Sequence, residues 1–295
     1  MNATSSSILI TGASGNVGAE VARLLLDAGR SVRAAVRRPD ELDGADWSDA
    51  ANLETVAFDF TEPSTWAGAY EGVDAMFLMR PPAIANIARD MLPALRAAEE
   101  AGVRHVVLLS LLGAENNPVV PHRKLEVYLE ESSTSYTFLR PSFFMQNLST
   151  THRQEIAERD EIFVPAGGGK TSFIDVRDVA QVAKMALVDP QGHSGCAYEL
   201  TGREALSYAQ VADILTEELG RPITYTNPSL FRFARRLRQD GHPWAYVGVV
   251  SALYTVCRLG LADTVTDELE RLLGRPPTGF REFVRDYREV WVSGC

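Results

Sequence analysis

Short apolar runs punctuate the first half of the chain: Ile8 to Thr11, Val32 to Val36, Thr55 to Asp59, Ala75 to Met79, Val106 to Ser110 and Tyr136 to Leu139. Each is bounded by turn or polar residues, which predicts a strand. Between several of them the apolar positions recur at helical spacing, as in Val17 to Ala28, Ile84 to Ala101 and Arg123 to Glu131. Strand alternating with helix predicts right-handed crossover units and a parallel sheet covered by helices on both faces. The unbroken hydrophobicity of VRHVVLLS fits a strand buried on both sides. After Pro141 the rhythm loosens. SFIDVRDVAQVAKMAL reads as a short strand entering a helix, AYELTG as a strand, and YAQVADILTEELG as a helix closed by Gly220, before a nearly all-helical stretch from Pro228 onward. The fold class expected is α/β, a doubly wound parallel sheet with a smaller, mostly helical C-terminal lobe. With no repeat and no low-complexity linker, residues 1–295 read as one domain, divided into a first part of about 1–150 and a lobe of about 151–295.

One motif gives this pattern chemical content. Gly12-Ala-Ser14-Gly15-Asn16-Val17-Gly18 directly follows the strand ending at Thr11 and runs into the next helix. At a strand-to-helix turn, glycines permit the tight bend, admit a pyrophosphate close to the backbone and let the helix pack against the strand. The first-turn amides then face the phosphates, where the helix dipole favours negative charge. The sheet is therefore Rossmann-like and the ligand a nicotinamide dinucleotide. Enzymes that use NAD commonly carry a carboxylate at the tip of the second strand, whereas an arginine accommodates the 2′-phosphate of NADP. Here that strand ends Val36-Arg37-Arg38-Pro39, with no carboxylate before Asp40, so NADP(H) is expected in preference to NAD(H). Asp59 and Phe60 are candidates to bracket the adenine by hydrogen bond and stacking. Gly167-Gly168-Gly169-Lys170-Thr171 imitates the end of a P-loop, but Val164 stands where the motif needs glycine and a strand-like run follows, so it reads as a mobile glycine turn.

Charge and cysteine narrow the field. A net charge of -10 argues against a nucleic-acid partner. The basic run FRFARRLR, Phe231 to Arg238, reads as the solvated face of one amphipathic helix, with no membrane partner. The apolar window Trp244 to Cys257 is too short for a membrane span and predicts a buried or interface helix. Cys196, Cys257 and Cys295 are far apart, without metal spacing, which fits a reduced cytoplasmic protein with no structural metal. No export signal precedes the first strand, so the sequons at Asn2 and Asn147 carry no message. Either a monomer or a homodimer is compatible with this composition.

TGASGNVG, Arg37, the Asp59-Phe60 pair, VVLLS at 106–110 and His122-x-x-x-Glu126 leading into YTFLRPSFFMQN together resemble the NmrA-like branch of the atypical short-chain dehydrogenase/reductases. That resemblance extends to GRPPTGFREFVRDY near the end of the chain. The branch includes quinone reductases, a triphenylmethane dye reductase, relatives of isoflavone reductases and NADP-binding transcriptional co-regulators. It implies fold and cofactor more sharply than substrate.

Typical short-chain dehydrogenases use a Tyr-x-x-x-Lys pair, and this chain has no such pair. Its three lysines, Lys124, Lys170 and Lys184, are preceded four residues earlier by Val120, Ala166 and Ala180. Hydride delivery to a carbonyl leaves an oxyanion that needs a proton or an electrostatic partner. Ser110 stands at the end of the fifth strand, and His122 falls where the family's tyrosine often lies. Histidine titrates near neutrality, and Glu126, one helical turn on, is placed to orient it. By analogy the nicotinamide end lies near Met79-Arg80-Pro81 and Pro141-Ser142, with Phe143 and Asn147 as substrate contacts. The function expected is an NADPH-dependent reductase of a small apolar, aromatic ketone or quinone. A non-catalytic NADP(H)-binding redox sensor and a non-redox isomerase or cyclase on the same fold are the alternatives.

Overall fold

The computed structural model describes residues 6–292; Asn2 and Cys295 lie outside the described residues. The described residues form twelve strands in the order β1 (Ser7–Thr11), β2 (Val32–Val36), β3 (Leu53–Ala57), β4 (Val73–Met79), β5 (His105–Leu109), β6 (Ser135–Pro141), β7 (Phe143–Phe144), β8 (Glu161–Ile162), β9 (Lys170–Ile174), β10 (Cys196–Leu200), β11 (Ala205–Ser207) and β12 (Thr224–Tyr225). Seven of them form one sheet in the order β3-β2-β1-β4-β5-β6-β10, and every pairing in it is parallel. The Rossmann-like doubly wound sheet expected from the alternation is therefore present. β5 is buried at all five positions, as its continuous hydrophobicity requires.

Two local departures have simple causes. The third strand is Leu53–Ala57, two residues earlier than the apolar run suggests. Phe58 and Phe60 leave the strand and meet edge to face, with Phe58 also against Tyr70, because burying three rings in the core outweighs extending an exposed edge strand. The helix expected over 84–101 is two helices, Ile87–Asp90 and Leu92–Glu100. Pro93, which lacks an amide, stands in the first turn of the second, where that loss is harmless, and so restarts the helix there.

Contact density divides the chain into two compact units. The first comprises residues up to Pro141 together with Val176–Leu200; the second comprises Ser142–Asp175 and the residues from Thr201 onward. A contiguous boundary near residue 150 does not describe this division, because the 176–200 segment supplies β10 and a helix to the main sheet. The helix Val176–Val188 packs against the helix Asn16–Asp27 within the first unit. The second unit holds the small sheets β11-β9-β7 and β12-β8, and an aromatic core that includes Phe173, Tyr208, Phe233, Tyr254 and Phe280. Its glycine turn at 167–169 is packed rather than mobile: a Cβ on Gly169 would lie 1.9 Å from the Cys257 carbonyl oxygen. Among the described residues no helix is long and apolar enough to cross a membrane.

Candidate active site

The strand order reverses between β1 and β4, which defines the crevice at the carboxyl ends of the strands. A cleft of about 590 Å³ lies there in the first unit, lined by residues at or just past the ends of β1 (Thr11, Gly12, Ser14, Gly15), β2 (Arg37, Glu41), β3 (Phe58 to Thr61) and β4 (Met79, Pro81 to Ile84). Thr11 pins the two central strands together: its hydroxyl donates to the Phe77 carbonyl at 2.9 Å and accepts from the Met79 amide at 2.8 Å. Thr11 thus shapes the cleft while its hydroxyl remains engaged with β4.

The glycine turn works by close approach. Gly12 has a φ of +67°, and a Cβ there would fall 2.0 Å from Met79 Cε. A Cβ on Gly18 would fall 2.2 Å from the Gly12 carbonyl oxygen, so helix and turn touch backbone to backbone. The helix Asn16–Asp27 is capped at Gly15 without a side-chain hydrogen bond and has no acidic residue in its first turn. Its leading amides are therefore free of a competing side-chain acceptor, and the cradle suits a pyrophosphate. Val17 contributes its backbone only, since its side chain is in the core.

At the adenosine end the two arginines separate. Arg37 lines the cleft and has no ion-pair partner among the described residues. Arg38 does not line it and is exposed, 3.7 Å from carboxylate oxygens of both Asp40 and Glu41. Glu41 is the residue that sequence reasoning missed. The 3-10 turn Pro39–Leu42 brings its carboxylate back into the cleft, 3.4 Å from the Ser14 hydroxyl. Its only signal in the sequence is Pro39, which suits the first position of a helical turn. The Asp59 carboxylate accepts from both the amide and the hydroxyl of Thr61, and so stiffens the loop that carries Phe60, itself buried.

The residues expected to carry catalysis do not form the arrangement read from their spacing. Glu126 is fully buried, and it receives hydrogen bonds from Ser110 Oγ at 2.7 Å, Arg140 Nε at 2.9 Å and Arg123 at 3.2 Å. Burial works against its charge, but Arg140 and Ser110 outweigh that and hold the carboxyl below the usual range. Arg140 also pairs with Glu115 at 3.1 Å. Glu126 therefore orients Arg140 and Ser110, not His122, because an arginine from β6 offers it two charge-assisted bonds. Ser110, its proton committed to that carboxylate, is correspondingly a buried structural hydroxyl.

His122 is the second residue of the helix Pro121–Glu131. Its Nδ1 is buried with no hydrogen-bond partner among the described residues. Burial, then the nearby Arg80 cation, push it down to about 4 against the opposing pull of Glu126. It is therefore a neutral imidazole at pH 7. Arg80 is half-buried; one terminal nitrogen donates to the carbonyls of Pro81 at 3.0 Å and Ile84 at 2.7 Å, while its Nε is buried and unpartnered. Two unpartnered polar atoms, on groups close enough for the charge of one to shift the other, mark a polar spot at the end of β4. In the second unit, Ser142 donates to the Ser172 carbonyl, Phe143 packs edge to face on Phe173 with ring centroids 5.7 Å apart, and Asn147 is half-buried.

A glycine cradle at the switch point of a parallel sheet is the geometry of a dinucleotide-binding fold. The chain belongs to the NmrA-like family, whose model matches residues 4–281. It is 36% identical to an NAD(P)H azoreductase of Xenophilus azovorans over 94% of this chain and 96% of that one. With an agroclavine dehydrogenase of Claviceps fusiformis it shares 32% identity over 97% and 98% of the two chains. Among solved structures it is similar to an NADPH-dependent quinone oxidoreductase of Escherichia coli in complex with NADPH, with a TM-score of 0.82, 27% identity, and coverage of 95% of this chain and 99% of that one.

Proposed function

We propose that the protein is an NADPH-dependent reductase of a small apolar, aromatic ketone or quinone. The observation that carries this reading is the uncapped glycine cradle at the β1/β4 switch point, opening into a cleft long enough to include Arg37. Relatives named as azo and quinone oxidoreductases support an oxidoreductase over the other chemistries of the fold. The bound dinucleotide supplies hydride. The first-turn amides of Asn16–Asp27 hold its pyrophosphate, Arg37 takes the 2′-phosphate, and Phe60 with the Asp59 loop walls the adenine. Glu41 sits in the same part of the cleft and opposes the added negative charge of a phosphate, so the preference for NADP(H) over NAD(H) rests on Arg37 prevailing.

His122, being neutral, holds the substrate oxygen by an N–H hydrogen bond while Arg80 adds positive charge beside it, and the proton that the reduced oxygen takes up comes from water. The first unit is the cofactor part. The test is cofactor oxidation by the purified full chain with NADPH and a panel of quinones, aromatic ketones and azo dyes. At least one acceptor should be reduced, more efficiently with NADPH than with NADH, and His122→Ala should lower kcat by about a hundredfold. No oxidation above background with any acceptor would remove the reductase reading.

A further inference from the structure

Two consecutive helices of the second unit expose a surface that the reductase reading does not use. The helix Leu230–Gln239 is closed on its inner side by Phe233, which packs on Tyr254 with ring centroids 5.5 Å apart. Its outer side carries Phe231, Arg235 and Arg238 at i, i+4 and i+7, a single helical face, with Arg232 beside it. Phe231 is 75% exposed, so this is not the simple pattern of inward phenylalanines and solvated arginines. The Arg238 guanidinium lies over the Trp244 ring, 5.1 Å from its centroid, and joins this face to the next helix, Trp244–Arg258.

That second helix buries Val247, Tyr254 and Cys257 and leaves Ala245, Gly248, Val249, Ala252, Leu253 and Val256 exposed. Those six positions make one continuous stripe without a polar side chain. Trp244 at its start is 68% exposed, and Leu259 and Leu261 just past its end are 68% and 67% exposed. An apolar band of this extent on a soluble surface marks a contact site. The cations around it identify the partner. Residues 229–260 contain five arginines and one carboxylate, in a chain whose net charge is -10. Arg236 is taken by Glu161, but Arg232, Arg235 and Arg258 have no carboxylate within ion-pair distance among the described residues.

We propose that this two-helix face docks on the surface of an anionic lipid bilayer, with Trp244, Leu253 and Val256 sunk among the acyl chains and Arg232, Arg235 and Arg238 on the headgroups. Basic side chains flanking an apolar stripe with tryptophan at the border are what an interfacial helix requires. The face lies on the bilayer rather than crossing it, since neither helix is long enough to span. Charge also orients the molecule. At physiological salt the screening length is about 8 Å, so the acidic remainder of the chain is repelled only weakly while the arginine face is in contact. A second copy of the same face is the less favourable occupant, because a two-fold pairing would bring these unpaired arginine clusters toward each other.

The experiment is co-sedimentation of the full chain with phosphatidylcholine vesicles, with or without about 30% phosphatidylserine. The expected result is binding to the phosphatidylserine vesicles alone, a blue shift of tryptophan emission from exposed Trp244, and release on raising salt. Arg232→Ala with Arg235→Ala should weaken binding about 25-fold, at about fivefold per arginine. Trp244→Ser with Leu253→Ser should abolish it, and all four substitutions should leave NADPH affinity unchanged, which verifies folding. The proposal is overturned if the chain stays in the supernatant with both vesicles, if it binds both equally without response to salt, or if sedimentation velocity finds a dimer that Leu253→Asp dissociates.

Discussion

The cofactor cleft and the polar cluster behind β5 lie in the same unit and are built by opposite means. The cleft is made of backbone. Gly12, Gly15 and Gly18 fall within seven residues, and what matters about them is the absence of a side chain where Met79 and the Gly12 carbonyl come close. The cluster is made of side chains brought from β5, the helix Pro121–Glu131 and β6, with Glu126 at its centre and Arg140 as its strongest partner. A site defined by main-chain shape tolerates changes around it as long as the turn is free. One defined by a buried charge depends on every partner of that charge.

This contrast is most strongly tested at Glu126. Glu126→Ala leaves Arg140 in a buried site with a lost partner, and should destabilise the chain by about 3–5 kcal/mol in urea titration while the surviving folded fraction binds NADPH with unchanged affinity. A loss of cofactor affinity matching the loss of stability would show that cleft and cluster are not separable.

A pH scan reaches the histidines of the same unit. His105 is buried on β5 and pushed down to about 4, by burial and then by His193; His122 is near the same value. Both are lower in the folded chain than the ordinary value near 6.5, so the unfolded chain takes up protons first as pH falls. The stability they contribute is complete above about pH 6.5 and drains away toward pH 4, by roughly 3 kcal/mol for His105 and less for the half-buried His122. Thermal melts from pH 7 to pH 4 should fall in that window, and His105→Asn should flatten the slope. An unchanged slope in that variant would place the sensitivity elsewhere.

The smallest effect is expected in the cleft itself. Arg37→Ala should raise the KM for NADPH about tenfold, the loss of one charge-assisted contact, with little change for NADH. Glu41→Gln should move the ratio the other way by relieving repulsion of the 2′-phosphate. If neither substitution changes the NADPH to NADH ratio, the adenosine end is not read by these two side chains.

Several features were legible along the chain because their cause is local. β2 spans the residues its apolar run predicts, and β1 and the helix after the glycine turn match their patterns to within one residue. Hydrophobic period and turn residues act over a few positions and are visible there. The shift of β3 is different: Phe58 looks like a strand residue until the rings of Phe60 and Tyr70 are known to await it. Glu126 shares a helical face with His122, as the i, i+4 spacing predicts, yet Arg140 on β6, fourteen residues on, outcompetes the neighbouring imidazole. Glu41 was invisible for the converse reason, since a short turn reverses a direction that the strand had set.

The sequence by itself determined the parallel sheet, the glycine cradle, the family and the exclusion of a Tyr-x-x-x-Lys pair, because each follows from periodicity, spacing or the mere presence of a residue type. Only the tertiary structure decided which arginine lines the cleft, that Ser110 and Glu126 belong to a buried ion cluster, that His122 is neutral, and that the Trp244 helix keeps an apolar face in the open. Those properties depend on desolvation and on competition among partners from distant segments, and neither exists until the chain has folded.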